Sequence, residues 1–370
     1  MKLLQLKTTL HQFDDCADFA KEFDIGAEDL ILTNEFIYQP HFGALGLGAD
    51  VLYQEKYGAG EPSDEMAEAI HANMKGNYRR IIAIGGGTVI DLAKIFALKN
   101  VLPVADLFDR KLDIVKDKGL VLVPTTCGTG SEVTNISILE LKDRHVKLGL
   151  AVDELYADAA VLIPRLAEGL PFRFFAASSI DALIHAVESS VSPKANVYTK
   201  LFGHRAVRMI VAGYREIAEK GPEARLPLLG DFLVASNFAG AAFGNAGAGA
   251  VHAMSYPLGG KYHVAHGEAN YALFNKVFER YLAQKRDGAI AEIGTVLADA
   301  LACDLVDAFR DLEKLLAEIL VRKPLREYGV TREDLRIFTD NVMTRQGRLM
   351  ANNFVPLDTA DVMAIYEELY

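Results

Sequence analysis

The stretch RRIIAIGGGTVIDLAK, Arg79 to Lys94, decides the fold. Its first half is an apolar, β-branched run that reads as a buried strand, and its second half has the composition of a helix beginning near Thr88. Gly85, Gly86 and Gly87 stand where the two meet. Backbone can approach a ligand closely there, and the unpaired N–H groups and positive dipole end of the helix suit a pyrophosphate. The spacing is not GxGxxG, so by themselves the glycines also read as a sharp turn. Asp91 and Lys94 likewise read as an ordinary i,i+3 helix pair.

Outward from this stretch the pattern repeats. Residues 29–33 (DLILT), 50–54 (DVLYQ), 80–84 (RIIAI) and 119–123 (GLVLV) each read as a buried strand, and Ser63 can cap a helix with Met66, Ile70 and Met74 on one face. This is a βαβ rhythm, the mark of a parallel sheet flanked by helices. Residues 136–141 and 146–150 flank the turn Lys142-Asp143-Arg144 and are expected as a hairpin added to that sheet. A second polar loop, PTTCGTGSE at 124–132, follows the strand at 119–123. Two such loops at the carboxyl ends of parallel strands lie where open α/β sheets bind ligands, which points to a dinucleotide. The hydroxyls of Thr125, Thr126 and Ser131 either bond its amide or ribose groups or cap turns.

After Pro164 the strand signals fade and long Ala-, Leu- and Glu-rich helical patterns continue to the end. Two domains are therefore expected: an α/β dinucleotide-binding domain over 1–164 and an all-α metal-binding domain over 165–370. In the last helix Thr359 is the candidate cap, with Val362, Ile365, Tyr366 and Leu369 as its apolar stripe. A net charge of −11 and the lack of a large Lys/Arg cluster exclude nucleic acid as the expected partner. The three cysteines, Cys16, Cys127 and Cys303, have no CxxC spacing and are expected as reduced thiols. No signal peptide and no unbroken apolar run of membrane-spanning length are read, so a soluble, cytoplasmic protein is expected.

The helical half carries a second constellation. Asp181 and His185, in SSIDALIHAVESS, are four residues apart and project from one helical face. His252 and His266, in GAVHAMSYPLGGKYHVAHGEANY, flank a Gly-rich break that can return both rings to one point. Each histidine alone reads as a satisfied core or surface residue. Together, one carboxylate and three imidazoles suit Fe²⁺ or Zn²⁺, which would act as a Lewis acid toward a substrate oxygen in an interdomain cleft.

Taken together, these motifs resemble the iron-containing, group III alcohol dehydrogenases, whose fold is shared with glycerol dehydrogenase and dehydroquinate synthase. GGGTVIDLAK is similar to the family's first cofactor loop, VPTTCGTGSEVT to its second, and DALIHAVES, VHAMSYPLG and HGEAN to its metal-binding segments. The resemblance implies that Asp181, His185, His252 and His266 are metal ligands and that Gly85, Gly86, Gly87 and Thr88 contact the pyrophosphate, next to Asp91. It implies that Thr125, Thr126 and Ser131 line the cofactor cleft and that Lys147 approaches the cofactor, a solvated strand lysine being the alternative.

Three positions depart from the family pattern. Tyr256 stands where relatives commonly carry a proton-transferring histidine; a phenol titrating near about 10 is a hydrogen-bond relay or simply packs the cleft wall. Asn34 stands where NAD-preferring relatives have an acidic residue, for which Glu35 can compensate. Ala265 replaces a proline before the last histidine ligand. Around Tyr256, Lys261 and His263 the sequence is most similar to the 4-hydroxybutyrate branch of the family, with Lys261, or secondarily Arg173, expected to hold a substrate carboxylate and His263 to relay a proton.

The resemblance thus implies reversible oxidation of 4-hydroxybutyrate to succinate semialdehyde, with NAD favoured over NADP and Fe²⁺ over Zn²⁺, in a homodimer. A butanol, propanediol or lactaldehyde enzyme is the nearest rival. A dehydroquinate synthase-type lyase would bind NAD without net turnover.

Overall fold

The computed structural model describes residues 2–370 and divides into two compact units, Leu6–Leu170 and the stretch ending at Gln5 together with Pro171–Tyr370. The first unit runs β1 (Thr9–Gln12), α1 (Cys16–Glu22), β2 (Asp29–Thr33), α2 (Glu35–Phe42), β3 (Asp50–Tyr53), α3 (Asp64–His71), β4 (Arg80–Gly85), α4 (Gly87–Phe96), α5 (Val104–Phe108), β5 (Gly119–Pro124), β6 (Ile136–Leu141), β7 (Val146–Ala151) and β8 (Ala159–Leu162). Six strands form one parallel sheet in the order β1-β8-β5-β4-β2-β3.

Side chains alternate across this sheet, so Ile81 and Ala83 join a core with α3, α4 and α5, while Ile82 and Ile84 join a second core with α1 and α2. All four strands expected in the sheet form, although β3 ends at Tyr53, one residue short of the expected 50–54. Gln54 leaves β3 to start a short 3₁₀ turn, its buried side chain bonded to Asn34 and to the Gly58 carbonyl. Ser63 caps α3 as expected, its Oγ accepting from the Met66 N–H at 3.2 Å. Met74 lies past the end of that helix, though it still packs against the same core.

The hairpin expectation needs correcting. β6 and β7 form a separate two-stranded antiparallel sheet rather than joining the parallel one. The reason lies in β6, whose polar groups are taken elsewhere. The Ile138 N–H donates to Asp91 Oδ2 at 2.9 Å, Ser137 Oγ donates to the Asp91 carbonyl at 2.8 Å, and the Glu140 N–H donates to the Pro62 carbonyl at 2.9 Å. The ribbon is thus tied to α4 and to the start of α3.

The second unit is helical: α6 (Phe172–Val191), α7 (Val197–Lys220), α8 (Leu229–Ala246), α9 (Ala250–Tyr262), α10 (His266–Gln284), α11 (Ala289–Leu301), α12 (Ala308–Ile319), α13 (Arg332–Arg345), α14 (Gly347–Met350) and α15 (Thr359–Leu369). The division falls after Leu170 rather than after 164, because Leu166 is buried in the core with α1 and α2. Gln5 belongs with the helices through two hydrogen bonds to Asn245, of 2.7 and 3.2 Å.

The cap of α15 is Asp358, whose side chain accepts from the Asp361 N–H, and Thr359 is its first helical residue. Val362, Ile365, Tyr366 and Leu369 are buried as expected. One segment, Pro222–Ala246, is long and apolar enough to cross a membrane by composition, but more than half of its apolar 18-residue stretch is buried inside the helical unit, where its helix packs on α6 and α7.

Candidate metal centre and cofactor loops

Helix α6 is buried along nearly its whole length, and its i,i+4 spacing sets Asp181 and His185 on one face. His252 comes from the first turn of α9 and His266 is the first residue of α10. Between them the chain reverses in three residues, with His263 in the left-handed region (φ 53°) as the C-cap of α9. Gly267 lets α10 touch α6, since a Cβ there would stand 2.0 Å from the Ala177 carbonyl oxygen. A larger residue would hold His266 away from Asp181.

The result is a tight convergence. Asp181 Oδ2 lies 3.8 Å from His185 Nδ1, and Asp181 Oδ1 lies 3.7 Å from His252 Nε2 and 3.9 Å from His266 Nε2. One donor atom from each of the four residues lies within 4.8 Å of all the others. The His185 ring is stacked between Phe243 at 4.1 Å and His252 at 4.4 Å, centroid to centroid. Asp181, His185 and His252 are buried, whereas the His266 side chain is 30% exposed and forms the open side.

Burial alone would raise the Asp181 carboxyl, but the three imidazoles and the Asn270 amide outweigh it and hold it below its usual range. The carboxylate is therefore charged at neutral pH. His252 Nε2 is buried and has no hydrogen-bond partner in the protein. A buried nitrogen left so, aimed at a carboxylate and two more imidazoles, fits a divalent ion with mixed N/O preference such as Fe²⁺ or Zn²⁺.

Two further residues complete the surroundings. Asn270, one turn beyond His266, donates from Nδ2 to Asp181 Oδ1 at 2.7 Å. Glu188, one turn beyond His185, brings Oε2 to 2.5 Å from His252 Nδ1 and accepts the Val251 N–H on Oε1 at 2.8 Å. Sequence reasoning missed both. The usable signal was their spacing, i+4 from His266 and i+7 from Asp181, on the faces already assigned.

Lys261, expected to hold a substrate carboxylate, meets a carboxylate of the protein itself. Its ammonium is paired with Asp334, which is 1% exposed and is also held by Tyr262 Oη at 2.6 Å and by Thr331, the capping partner at the start of α13. The lysine thus ties α9 to α13. Burial alone would raise the Asp334 carboxyl, but Lys261, Thr331 and Tyr262 outweigh it and hold it well below its usual range. Because the folded value is depressed, this stabilisation is complete above the unfolded value near about 4 and is lost as pH falls through and below it. Asp334→Asn should lower stability by about 2 kcal/mol at pH 7. Its deficit against the unsubstituted protein in thermal melts should shrink below about pH 4; a deficit independent of pH would refute this.

Tyr256, one turn past His252, is 9% exposed with its ring centroid 6.1 Å from that of His266. His263 is exposed at the end of α9. Arg173, in the first turn of α6, is 62% exposed and donates to Glu268 at 2.8 Å, a carboxylate that also meets Tyr328 Oη at 3.1 Å and Lys323 at 4.0 Å.

In the sheet unit, β4 and β5 are neighbours with Gly85 opposite Pro124, so the glycine loop and the loop after β5 emerge side by side, and the Thr125 N–H donates to the Gly85 carbonyl at 3.1 Å. No side chain caps the first turn of α4. A Cβ on Gly87 would stand 2.9 Å from Thr129 Cγ2, so the glycine run also lets the two loops pack. Thr88 Oγ1 donates to the Gly60 carbonyl at 3.0 Å.

Asp91 and Ser131, expected to lie at the cofactor, are joined in a part-buried side-chain brace. Ser131 Oγ donates to Asp91 Oδ1 at 2.6 Å and accepts from Lys94 Nζ at 2.7 Å. The Lys94 ammonium, fully buried, donates further to Thr134 Oγ1 and the Ile136 carbonyl. Burial pushes it down to about 8 against the pull of Asp91 and Glu132. The i,i+3 pair of Asp91 and Lys94, 3.9 Å apart, is thus part of an internal tie between α4 and the second loop.

Lys147 is buried and paired with Glu61, so it is not a solvated strand lysine. Asn34 is 8% exposed at the end of β2, beside β4. Glu55 bridges this point, accepting from Asn34 Nδ2 at 2.9 Å and from the Glu35 N–H at 2.7 Å. The carboxylate next to Asn34 is therefore that of Glu55, with Glu35 supplying only its backbone.

Comparison with known proteins agrees with this geometry. Residues 9–164 match the family model described as iron-containing alcohol dehydrogenase, and residues 175–370 match the C-terminal part of the same family. The chain belongs to the iron-containing alcohol dehydrogenase family. Within it, the chain is 51% identical over 371 residues to the 4-hydroxybutyrate dehydrogenase of Clostridium kluyveri, with both chains fully covered. It is 36% identical to the long-chain-alcohol dehydrogenase 1 of Geobacillus thermodenitrificans, over 84% of this chain and 80% of that one. The fold is also that of the sulfoacetaldehyde reductase of Bifidobacterium kashiwanohense, solved with NAD⁺, with TM-score 0.83, 21% identity and coverage of 99% and 98%.

Proposed function

We propose that the protein interconverts 4-hydroxybutyrate and succinate semialdehyde, moving a hydride between the alcohol carbon and a nicotinamide cofactor. The observation that carries the metal-dependent chemistry is the convergence of Asp181, His185, His252 and His266 around the unpartnered His252 Nε2. The substrate rests on the full-length identity to the Clostridium protein. A divalent ion held by the four side chains supplies a Lewis acid for the oxygen of alcohol or aldehyde, and we take that ion to be Fe²⁺.

The protein's own groups do the rest. Asn270 holds the Asp181 carboxylate in place. Tyr256, beside His266, and His263, exposed at the end of α9, are the groups to which we assign transfer of the alcohol proton toward solvent. With Lys261 committed to Asp334, the substrate carboxylate falls to Arg173, whose one close carboxylate partner, Glu268, is shared with a second cation. The open first turn of α4 receives the pyrophosphate. NAD is favoured over NADP because a 2′-phosphate at the end of β2 would meet Glu55. The working form is taken to be a cytoplasmic homodimer.

Steady-state NADH oxidation by Fe²⁺-loaded protein tests the substrate assignment. Succinate semialdehyde should be preferred over butyraldehyde by about 10²-fold in kcat/KM. Arg173→Gln should raise KM for the semialdehyde roughly tenfold and leave butyraldehyde unchanged. Equal efficiency with both aldehydes would make this a general alcohol dehydrogenase, and turnover with NADPH matching NADH would remove the role given to Glu55.

A further inference from the structure

We infer that Glu188 is a positioning residue that fixes the ring orientation and tautomer of His252 so that Nε2 faces the metal site with a free lone pair. The inference rests on the reading of Asp181, His185, His252 and His266 as ligands.

Glu188 lies on α6 and is 2% exposed. Both of its oxygens are engaged by donors at the start of α9. Oε1 takes the Val251 N–H at 2.8 Å, and Oε2 stands 2.5 Å from His252 Nδ1. Val251 is in the first turn of α9, whose N-cap, Gly249, has no side chain to offer. A single carboxylate therefore closes the end of α9 and meets the imidazole that leaves the helix one residue later.

The consequence follows from what each atom can do. A backbone N–H can only donate, and an ionised carboxylate can only accept. With both oxygens accepting, Nδ1 must carry hydrogen, and in the neutral ring Nε2 is then the bare nitrogen. That nitrogen is the one lying 3.7 Å from Asp181 Oδ1 without a protein partner. A carboxylate behind a metal-bound imidazole also makes the ring a stronger ligand.

The same geometry makes Glu188→Gln an informative substitution. Its size is retained, but its one oxygen can serve only one of the two donors. If the oxygen keeps the Val251 N–H, the amide NH₂ faces Nδ1, which must then accept, and the hydrogen moves to Nε2, where it blocks the metal. If the amide flips, two N–H donors confront each other at the start of α9.

The test is Zn²⁺ affinity of the full-length apoprotein, read by competition with a chromophoric chelator, in a double-mutant cycle. Glu188→Gln should weaken Zn²⁺ binding about 10–100-fold. The same change in a His252→Ala background should alter affinity by less than about twofold, because Glu188 acts through that ring. Undiminished affinity in Glu188→Gln, or equal losses in both backgrounds, would overturn the inference. If the parent protein binds no Zn²⁺ or Fe²⁺, the ligand reading itself fails. If Glu188→Gln does not fold, a crystal of the unsubstituted protein soaked in Zn²⁺ decides. Nε2 on the ion and Nδ1 on Glu188 is the expected result, and Nδ1 on the ion the contrary one.

Discussion

Asp181→Ala should abolish turnover, lowering kcat/KM by at least about 10³-fold, because it removes the only carboxylate among the four converging donors and leaves three neutral imidazoles to hold a dication. Asn270 Nδ2 loses its 2.7 Å acceptor at the same time. Loss of that bond should cost the apoprotein about 1–3 kcal/mol. Thermal melting separates these effects. Added Zn²⁺ or Fe²⁺ should raise the midpoint of the unsubstituted protein by mass action and leave that of Asp181→Ala unmoved. A variant still stabilised by metal would mean that the ion sits elsewhere.

Gly267→Ala should be as damaging through backbone geometry alone. The added Cβ would lie 2.0 Å from the Ala177 carbonyl oxygen and 2.8 Å from its carbon, both main-chain atoms of α6 that no rotamer change can move. Helices α6 and α10 must part, at a cost of about 3 kcal/mol or more. Because Asp181 rides on α6 and His266 precedes Gly267 on α10, the two side chains to which we assign the metal separate with them. Expected results are a midpoint lowered by several degrees and metal affinity reduced by more than tenfold. An unchanged midpoint would show that the contact relaxes without cost.

The comparison of sequence and structure divides along physical lines. Strands β2, β4 and β5 were legible because each is a near-continuous apolar run, the pattern of a parallel strand buried on both faces. Strands β1 and β8 were missed: β1 is a four-residue, largely exposed edge strand, and β8 opens with two alanines that read as helix. The hairpin was legible as a pair but its placement was not, since only Asp91 and Pro62 reveal where β6 docks. The convergence of Asp181, His185, His252 and His266 was visible through helical spacing around a Gly-rich break, a local signal.

Roles set by distant partners were invisible. Nothing near Lys261 in sequence shows that Asp334 pairs with it, and nothing near Asp91 shows that Ser131 and Ile138 donate to its oxygens. Glu55 supplying the carboxylate beside Asn34 is a contact between the ends of neighbouring strands of the same kind.

The most direct single measurement is NADH oxidation by protein stripped of metal with a chelator and then titrated anaerobically with Fe²⁺ in the presence of succinate semialdehyde. Activity should be absent in the stripped protein and should rise to saturation at one Fe²⁺ per chain, without recovery in Asp181→Ala. Full activity without metal, or recovery in Asp181→Ala, would contradict metal-dependent hydride transfer at this site.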